Sequence, residues 1–252
     1  MVKNIKESEK MYLTDKLFYY KNKTYYENEN KIVKVGVRNW VKYMSDYGWF
    51  YLDDSWKKRL INKRYCFRYG LLDCGGSGDC LFHCISEACN ELSDMSGEKY
   101  NSNDIRKIAA NSINQDNYQI IIENYRLEKE NNEFDGLWDP DTINNYKELQ
   151  NEIIKSGNNF WGDHIILQLL KEKMDLNIII LNSDCCDNPC KINLFMQKFH
   201  KINKTIILYY IDKIHFQLVG YFNGNKMQTI FDTDKIPKNL IKLCKEDTSF
   251  VI

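Results

Sequence analysis

The stretch GGSGDCLFHCISEAC, residues 75–89, constrains this chain more than any other. Gly75, Gly76 and Gly78 crowd a single turn, where glycine lets the backbone take positive φ and lets other groups approach closely, at a cost in chain entropy. Directly after it, Leu81, Ile85 and Ala88 with Cys84 lie on one helical stripe, which predicts a buried helix starting near Cys80. A cysteine thus stands where a permissive loop becomes a helix N-terminus. Unpaired amides and the helix dipole favour an anion there, so the reading predicts a lowered thiol pKa. The backbone N–H groups of Gly78, Asp79 and Cys80 form a candidate oxyanion loop.

A thiol nucleophile works with a general base that also protonates the leaving amine. The chain has four histidines. His83 sits on the Cys80 helix itself and suits capping or packing, while His164 and His200 read as surface or core histidines. His215 opens HFQLVGYF, a predicted central strand, and Gln217 shares its face by the period of two. A polar side chain beside an imidazole can orient it, which makes Gln217 the candidate third member of a Cys-His-polar set.

Other chemistries fit less well. No Lys-Ser/Thr follows the glycines, as a phosphate loop requires. A cysteine phosphatase built on His83-Cys84 wants an arginine six residues on, and Asn90 stands there. CCDNPC at 185–190, with His200 as a loose fourth ligand, is open to a zinc reading, although no pair has finger spacing; free thiols in a loop is the alternative.

The 252 residues suffice for a substantial core, and 43% hydrophobic content excludes a disordered or fibrous chain. Lys plus Arg and Asp plus Glu both number 35, so no global field recruits nucleic acid or an acidic membrane. Nine cysteines, an odd count, and an opening without a continuous apolar run argue against a disulfide framework and for an intracellular, cytoplasmic setting. No run of eighteen apolar residues predicts a membrane span.

Residues 1–66 form an aromatic-rich extension holding Trp40, Trp49 and Trp56, read either as an added packing layer or as a lid or partner surface. Helices are predicted in SNDIRKIAANSI and in TINNYKELQNEIIKSG, the latter ending at Gly157. NYQIIIENYRLEKE is ambiguous because of its three isoleucines, and 128–141 reads as an acidic exposed loop. GDHIILQLLKEKM reads as an amphipathic helix, LNIIILN as a buried strand, and TIILYYI and HFQLVGYF as neighbouring strands. The tail, residues 226–252, carries a short helix with Pro237 in its first turn, packed on the domain. Helices followed by a helix-supported sheet give an α+β class.

Three blocks resemble one known family. GGSGDCLF is similar to the cysteine loop of the ovarian tumour (OTU) cysteine proteases, usually Asp-Gly-Asn-Cys-Leu-Phe/Tyr. WGDHIILQLLKEKMDLNIII resembles that family's Trp-Gly helix and following strand, and IHFQLV its histidine-aromatic strand, with His215 lying 135 residues after Cys80. The likeness covers about residues 67–225. It implies the papain-like OTU fold, a small central, mainly antiparallel sheet flanked by helices. It also implies hydrolysis of isopeptide bonds to ubiquitin, polyubiquitin or ubiquitin-like modifiers, with neither metal nor cofactor.

By the same likeness Cys80 is the nucleophile, His215 the base, Gln217 the orienter, and Trp161-Gly162 a structural block. Ser77 stands where the family has Asp, and Asp79 where Asn is usual, so Ser77 would supply a hydroxyl or amide and Asp79 a helix cap. The ubiquitin tail carries arginines, making Asp135, Asp139 and Asp141 candidate contacts. An OTU scaffold with impaired chemistry that only binds ubiquitin or another protein is the alternative. Composition and the extension suggest a large DNA virus or a protist as source, which would put the protein in a host cytoplasm.

Overall fold

Alternation within three strands decides where the core lies. In Leu176–Asn182, Ile178 and Ile180 join one apolar cluster while Ile179 and Leu181 join another. Lys204–Ile211 repeats this with Ile206 and Leu208 against Ile207 and Tyr209, and His215–Phe222 with Phe216 and Leu218 against Val219. Side chains of successive strand residues point to opposite faces, so a sheet built from these strands must be covered on both sides.

A computed structural model describes residues 5–29, 31–60, 68–93, 99–183, 191–195, 204–212 and 214–248. The N-terminal part holds β1 (Met11–Tyr12), β2 (Leu17–Tyr20), β3 (Lys23–Asn28) and β4 (Lys31–Lys34), an antiparallel four-stranded sheet in chain order. Then come α1 (Trp40–Met44), β5 (Trp49–Tyr51), α2 (Asp54–Leu60) and β6 (Tyr69–Leu72). Five helices follow: α3 (Cys80–Ser93), α4 (Ser102–Ala110), α5 (Tyr118–Glu130), α6 (Tyr146–Ile154) and α7 (His164–Met174). The chain closes with β7 (Leu176–Asn182), β8 (Ile192–Phe195), β9 (Lys204–Ile211), β10 (His215–Phe222), β11 (Met227–Gln228), β12 (Ile230–Asp232) and α8 (Lys238–Thr248).

The main sheet runs β5-β6-β10-β9-β7-β8, with β11 beside β10 and β12 beside β9. Among the described residues only β7 and β9 pair in parallel. The class is α+β, as the sequence reading has it, but the sheet has eight strands and is not small. The excess comes from β5, β11 and β12, segments too short to show a periodicity of their own. Helices α3 to α7 cover one face, and α2 and α8 the other.

The boundary drawn at residue 66 therefore runs through the sheet. Trp40, Trp49 and Trp56 are all buried, so their role is packing. Trp40 stacks on Phe222 with ring planes 9° apart, and a Cβ at Gly70 would come within 2.7 Å of its ring, so β6 needs glycine there. The Trp56 indole N–H donates to the Asn182 carbonyl at 2.8 Å. Thr24 ties the small sheet to the body by donating its N–H and hydroxyl to the Asn225 carbonyl. Across the other face, Arg59 grips Asp247 with two bonds of 2.9 and 2.6 Å, joining α2 to α8.

Other readings resolve locally. The triple isoleucine lies inside α5, with Ile121 and Ile122 buried and Ile120 exposed. Helix α6 stops at Ile154, three residues before Gly157, because Lys155 is already extended. No helix among the described residues is long and apolar enough to cross a membrane. CCDNPC and His200 lie outside the described residues, and among those described no cluster of three metal-ligating side chains occurs.

Replacing Trp40 by alanine is expected to destabilise the whole domain by about 3–5 kcal/mol, the usual cost of emptying a fully buried aromatic site. Urea denaturation measures it; a loss below about 1 kcal/mol would mean the N-terminal segment is peripheral to the core.

Candidate active site

Cys80 is the first residue of α3, and the carbonyl of Asp79 accepts the first helical bond, from His83 N–H at 2.9 Å. The helix packs its apolar stripe on β10, and this brings two sulfurs to one residue of that strand. Phe216 donates its N–H to Cys80 Sγ at 3.5 Å, and its carbonyl accepts from Cys84 Sγ at 3.6 Å. His215, one residue earlier, lines the same cleft as Cys80. The structure thus brings the predicted nucleophile and base together from opposite ends of the domain.

The ring of His215 has a carboxylate partner that sequence reasoning missed. Its Nε2 lies 3.4 Å from Asp73 Oδ1. The register that pairs Leu72 with Leu218 sets Asp73, just past the end of β6, opposite Gln217 and diagonal to His215. Gln217, the predicted orienter, makes no hydrogen bond to His215 among the described residues. Spacing within one strand pointed to Gln217; the pairing of two strands far apart in sequence selects Asp73.

The loop between β6 and α3 is held in a strained path. Ser77 has φ +60° and Gly78 φ +86°, both left-handed. A Cβ at Gly78 would fall 2.1 Å from the Gly157 carbonyl oxygen, so no larger residue fits. Among the described residues the N–H groups of Ser77 and Gly78 have no hydrogen-bond partner, and both residues line the cleft. Of the other two expected oxyanion donors, Asp79 instead gives its N–H to the Gly76 carbonyl at 3.4 Å and Cys80 turns its own toward its sulfur. The Ser77 hydroxyl also makes no bond there.

Burial sets the resting state of the sulfur. Cys80 is only 8% exposed, and loss of solvation pushes its thiol above the ordinary cysteine range, helped by the nearby Asp79 charge. The N–H groups of Phe216, Leu81 and Cys80 itself pull the other way without prevailing. The expected lowering by the helix terminus is therefore overturned: desolvation outweighs it.

Beside the sulfur opens a cleft of about 520 Å³. Its far wall is the segment after α5, braced by stacked Trp138 and Phe160 and by edge contacts of Tyr125 with Phe134 and Trp138. Glu128, Glu133, Asp135 and Asp163 line it, and no lysine or arginine does among the described residues. Burial pushes the Glu128 and Asp163 carboxyls up, and at Glu128 the neighbouring Asp163 and Glu133 charges add to it. Of the three predicted contacts only Asp135 faces the cleft. Asp139 and Asp141 instead hold Lys129 at 2.7 and 2.5 Å, and Asp139 caps the turn at Pro140. Glu128 and Glu133 were missed because the loop reading gave no inward face. His164 is exposed, 3.5 Å from Glu128.

A model of the family described as OTU-like cysteine protease matches residues 75–216, from the glycine loop to the residue after His215. The chain belongs to this family. Among curated proteins none matches it. Solved structures similar to it include the OTUD1 OTU domain, 12% identical, covering 66% of this chain and 92% of that one, with TM-score 0.43. Another is an OTU domain in complex with ubiquitin, 15% identical over 71% and 83%, TM-score 0.42. A third is an OTU deubiquitinase from Wolbachia pipientis wMel bound to ubiquitin, 15% identical over 63% and 99%, TM-score 0.39.

At Asp79, one of the two places where this OTU chain departs from the family pattern, the structure supplies another contact. The Asp79 carboxylate does not cap α3. It turns away to the buried Arg106, whose Nε donates to Oδ1 at 2.7 Å, and accepts the Gly157 N–H on Oδ2 at 2.9 Å. Trp161 and Gly162 lie against the loop: Trp161 Cδ1 would be 2.9 Å from a Cβ on Gly78, and Leu81 fills the space above Gly162.

Because the thiol rests above the ordinary range, the thiolate fraction of free protein grows as pH rises past that range. Alkylation of Cys80 by iodoacetamide, followed by peptide mass mapping, should therefore be slow at neutral pH with a midpoint above that of an exposed cysteine. A midpoint below neutrality would contradict the dominance of burial.

Proposed function

We propose that this chain is a thiol-dependent hydrolase that cleaves the bond joining the C-terminal glycine of ubiquitin to an amine. The observation that carries the reading is the meeting of Cys80 and His215 in one acidic cleft beside a loop of unpartnered amides. Family membership supports the reaction class, and the charge of the cleft supports a substrate tail bearing arginines.

The chemistry follows from the groups present. His215 removes the Cys80 proton as the substrate carbonyl approaches, which suits a sulfur that rests protonated. The sulfur attacks the glycine carbonyl carbon, and the resulting oxyanion accepts from the Ser77 and Gly78 N–H groups. As the intermediate collapses, the carbon–nitrogen bond breaks and the imidazolium passes its proton to the leaving amine. Asp73 stabilises that imidazolium and holds the ring. Water, activated by His215, then attacks the thioester, releasing the ubiquitin carboxylate and restoring the thiol. Glu128, Glu133, Asp135 and Asp163 hold the cationic tail in line.

Turnover of a fluorogenic ubiquitin C-terminal amide tests this. His215→Ala should lower kcat by about 10²–10⁴-fold, the usual share of general acid–base catalysis. Asp73→Ala should cost on the order of 10²-fold through a misplaced ring, and Gln217→Ala little. Equal losses at 73 and 217 would overturn the assignment of Asp73. Tight ubiquitin binding by wild-type protein without turnover would instead make the chain an OTU module that binds and does not cut.

A further inference from the structure

Arg106, on α4, is fully buried, and its donors converge on the two loops that frame the nucleophile. Nε and Nη2 both reach Asp79 Oδ1, at 2.7 and 2.5 Å. Nη2 also donates to the Gly78 carbonyl at 3.2 Å and to the Phe160 carbonyl at 2.8 Å, and Nη1 donates to the Ile153 carbonyl at 2.9 Å. Its plane sits 4.0 Å from the Phe82 ring centroid, so α3 packs on the same group. A planar fork can make this set of bonds; a flexible ammonium cannot.

Resting on the hydrolase reading above, we propose that Arg106 is a positioning residue for Cys80, holding the cysteine loop in its working path and matching the Asp79 charge beside the sulfur. The two effects follow from the same contacts. Holding the Gly78 carbonyl on the buried guanidinium fixes the peptide plane on the α3 side of the donors at Ser77 and Gly78, because a peptide unit turns as one rigid piece. The salt bridge also keeps a carboxylate next to the nucleophile from acting as an uncompensated charge. Asp79 is near enough to push the Cys80 thiol up, and a charge on Cys80 reaches Arg106. An aspartate directly before the nucleophile is tolerable here because a buried cation faces it, and the Gly157 N–H on its second oxygen carries the same pairing to the Trp161 loop.

The test uses the full chain, with Arg106→Lys, Asp79→Asn and the double variant. Two readouts are taken: kcat and KM on the fluorogenic ubiquitin amide, and the pH midpoint of Cys80 alkylation, which needs no ubiquitin. Arg106→Lys keeps the charge but loses the fork. Its kcat should fall on the order of 10²-fold, with KM close to wild type because the acidic wall is untouched. Its alkylation midpoint should rise, since Asp79 is less well matched, and the double variant should bring it back down. If Arg106→Lys does not fold, Asp79→Asn decides alone: a midpoint below wild type with reduced kcat supports the role. A folded Arg106→Lys with wild-type kcat and an unmoved midpoint overturns it, as does an Asp79→Asn protein unchanged in both. Midpoints that move as stated in a protein that never cleaves ubiquitin would keep the positioning role and remove the hydrolase reading; active wild type with fixed midpoints would do the reverse.

Discussion

One backbone residue, Phe216, serves two sulfurs, and the rest of the site depends on that contact. With its N–H on Cys80 Sγ and its carbonyl on Cys84 Sγ, it pins the first turn of α3 to the start of β10. The helix cannot slide or rotate along the strand without breaking both bonds and emptying the core that Leu81, Ile85 and Leu218 share. Once that docking is set, His215 must open the same cleft as Cys80, and the glycine loop must turn sharply in front of them. The positive φ at Ser77 and Gly78 is the local cost of this, offset by packing around it.

Electrostatics at the site then follow two opposing demands. A sulfur buried well enough to be excluded from water is poorly placed to be an anion, and burial wins in the resting protein. In the proposed reaction, proton removal is therefore coupled to substrate arrival, the step assigned to His215 with Asp73 3.4 Å from its ring. The wall opposite collects Glu128, Glu133, Asp135 and Asp163 around a cleft without lysine or arginine among the described residues. Such a surface favours a cationic segment and disfavours an acidic one; under the proposed hydrolase function, charge would select the tail and the sulfur and imidazole would do the chemistry.

The parts of this arrangement legible in the sequence are those carried by local pattern. The glycine turn before an apolar stripe gave α3 with Cys80 at its head, and the β-branched runs gave β7, β9 and β10. Among four histidines, the place of His215 at the head of a predicted central strand, with Gln217 on its face, singled it out. What escaped was carried by strand register or by distant packing. Asp73 meets His215 only because β6 pairs with β10, and Arg106 reads as an ordinary helical cation until its fork is seen inside the protein. Asp139 and Asp141 looked like free acids, but a lysine ten and twelve residues earlier claims both. Strand β5 has only three residues, too few for alternation to be seen, so the join between the N-terminal segment and the main sheet was invisible.

The most direct measurement is the intact mass of the protein after exposure to ubiquitin bearing a C-terminal electrophile, with the attachment site mapped by peptide sequencing. A single ubiquitin is expected to add, bonded to Cys80 and absent in Cys80→Ala. A protein that stays unmodified, or that carries the adduct on Cys74 or another cysteine, would contradict this.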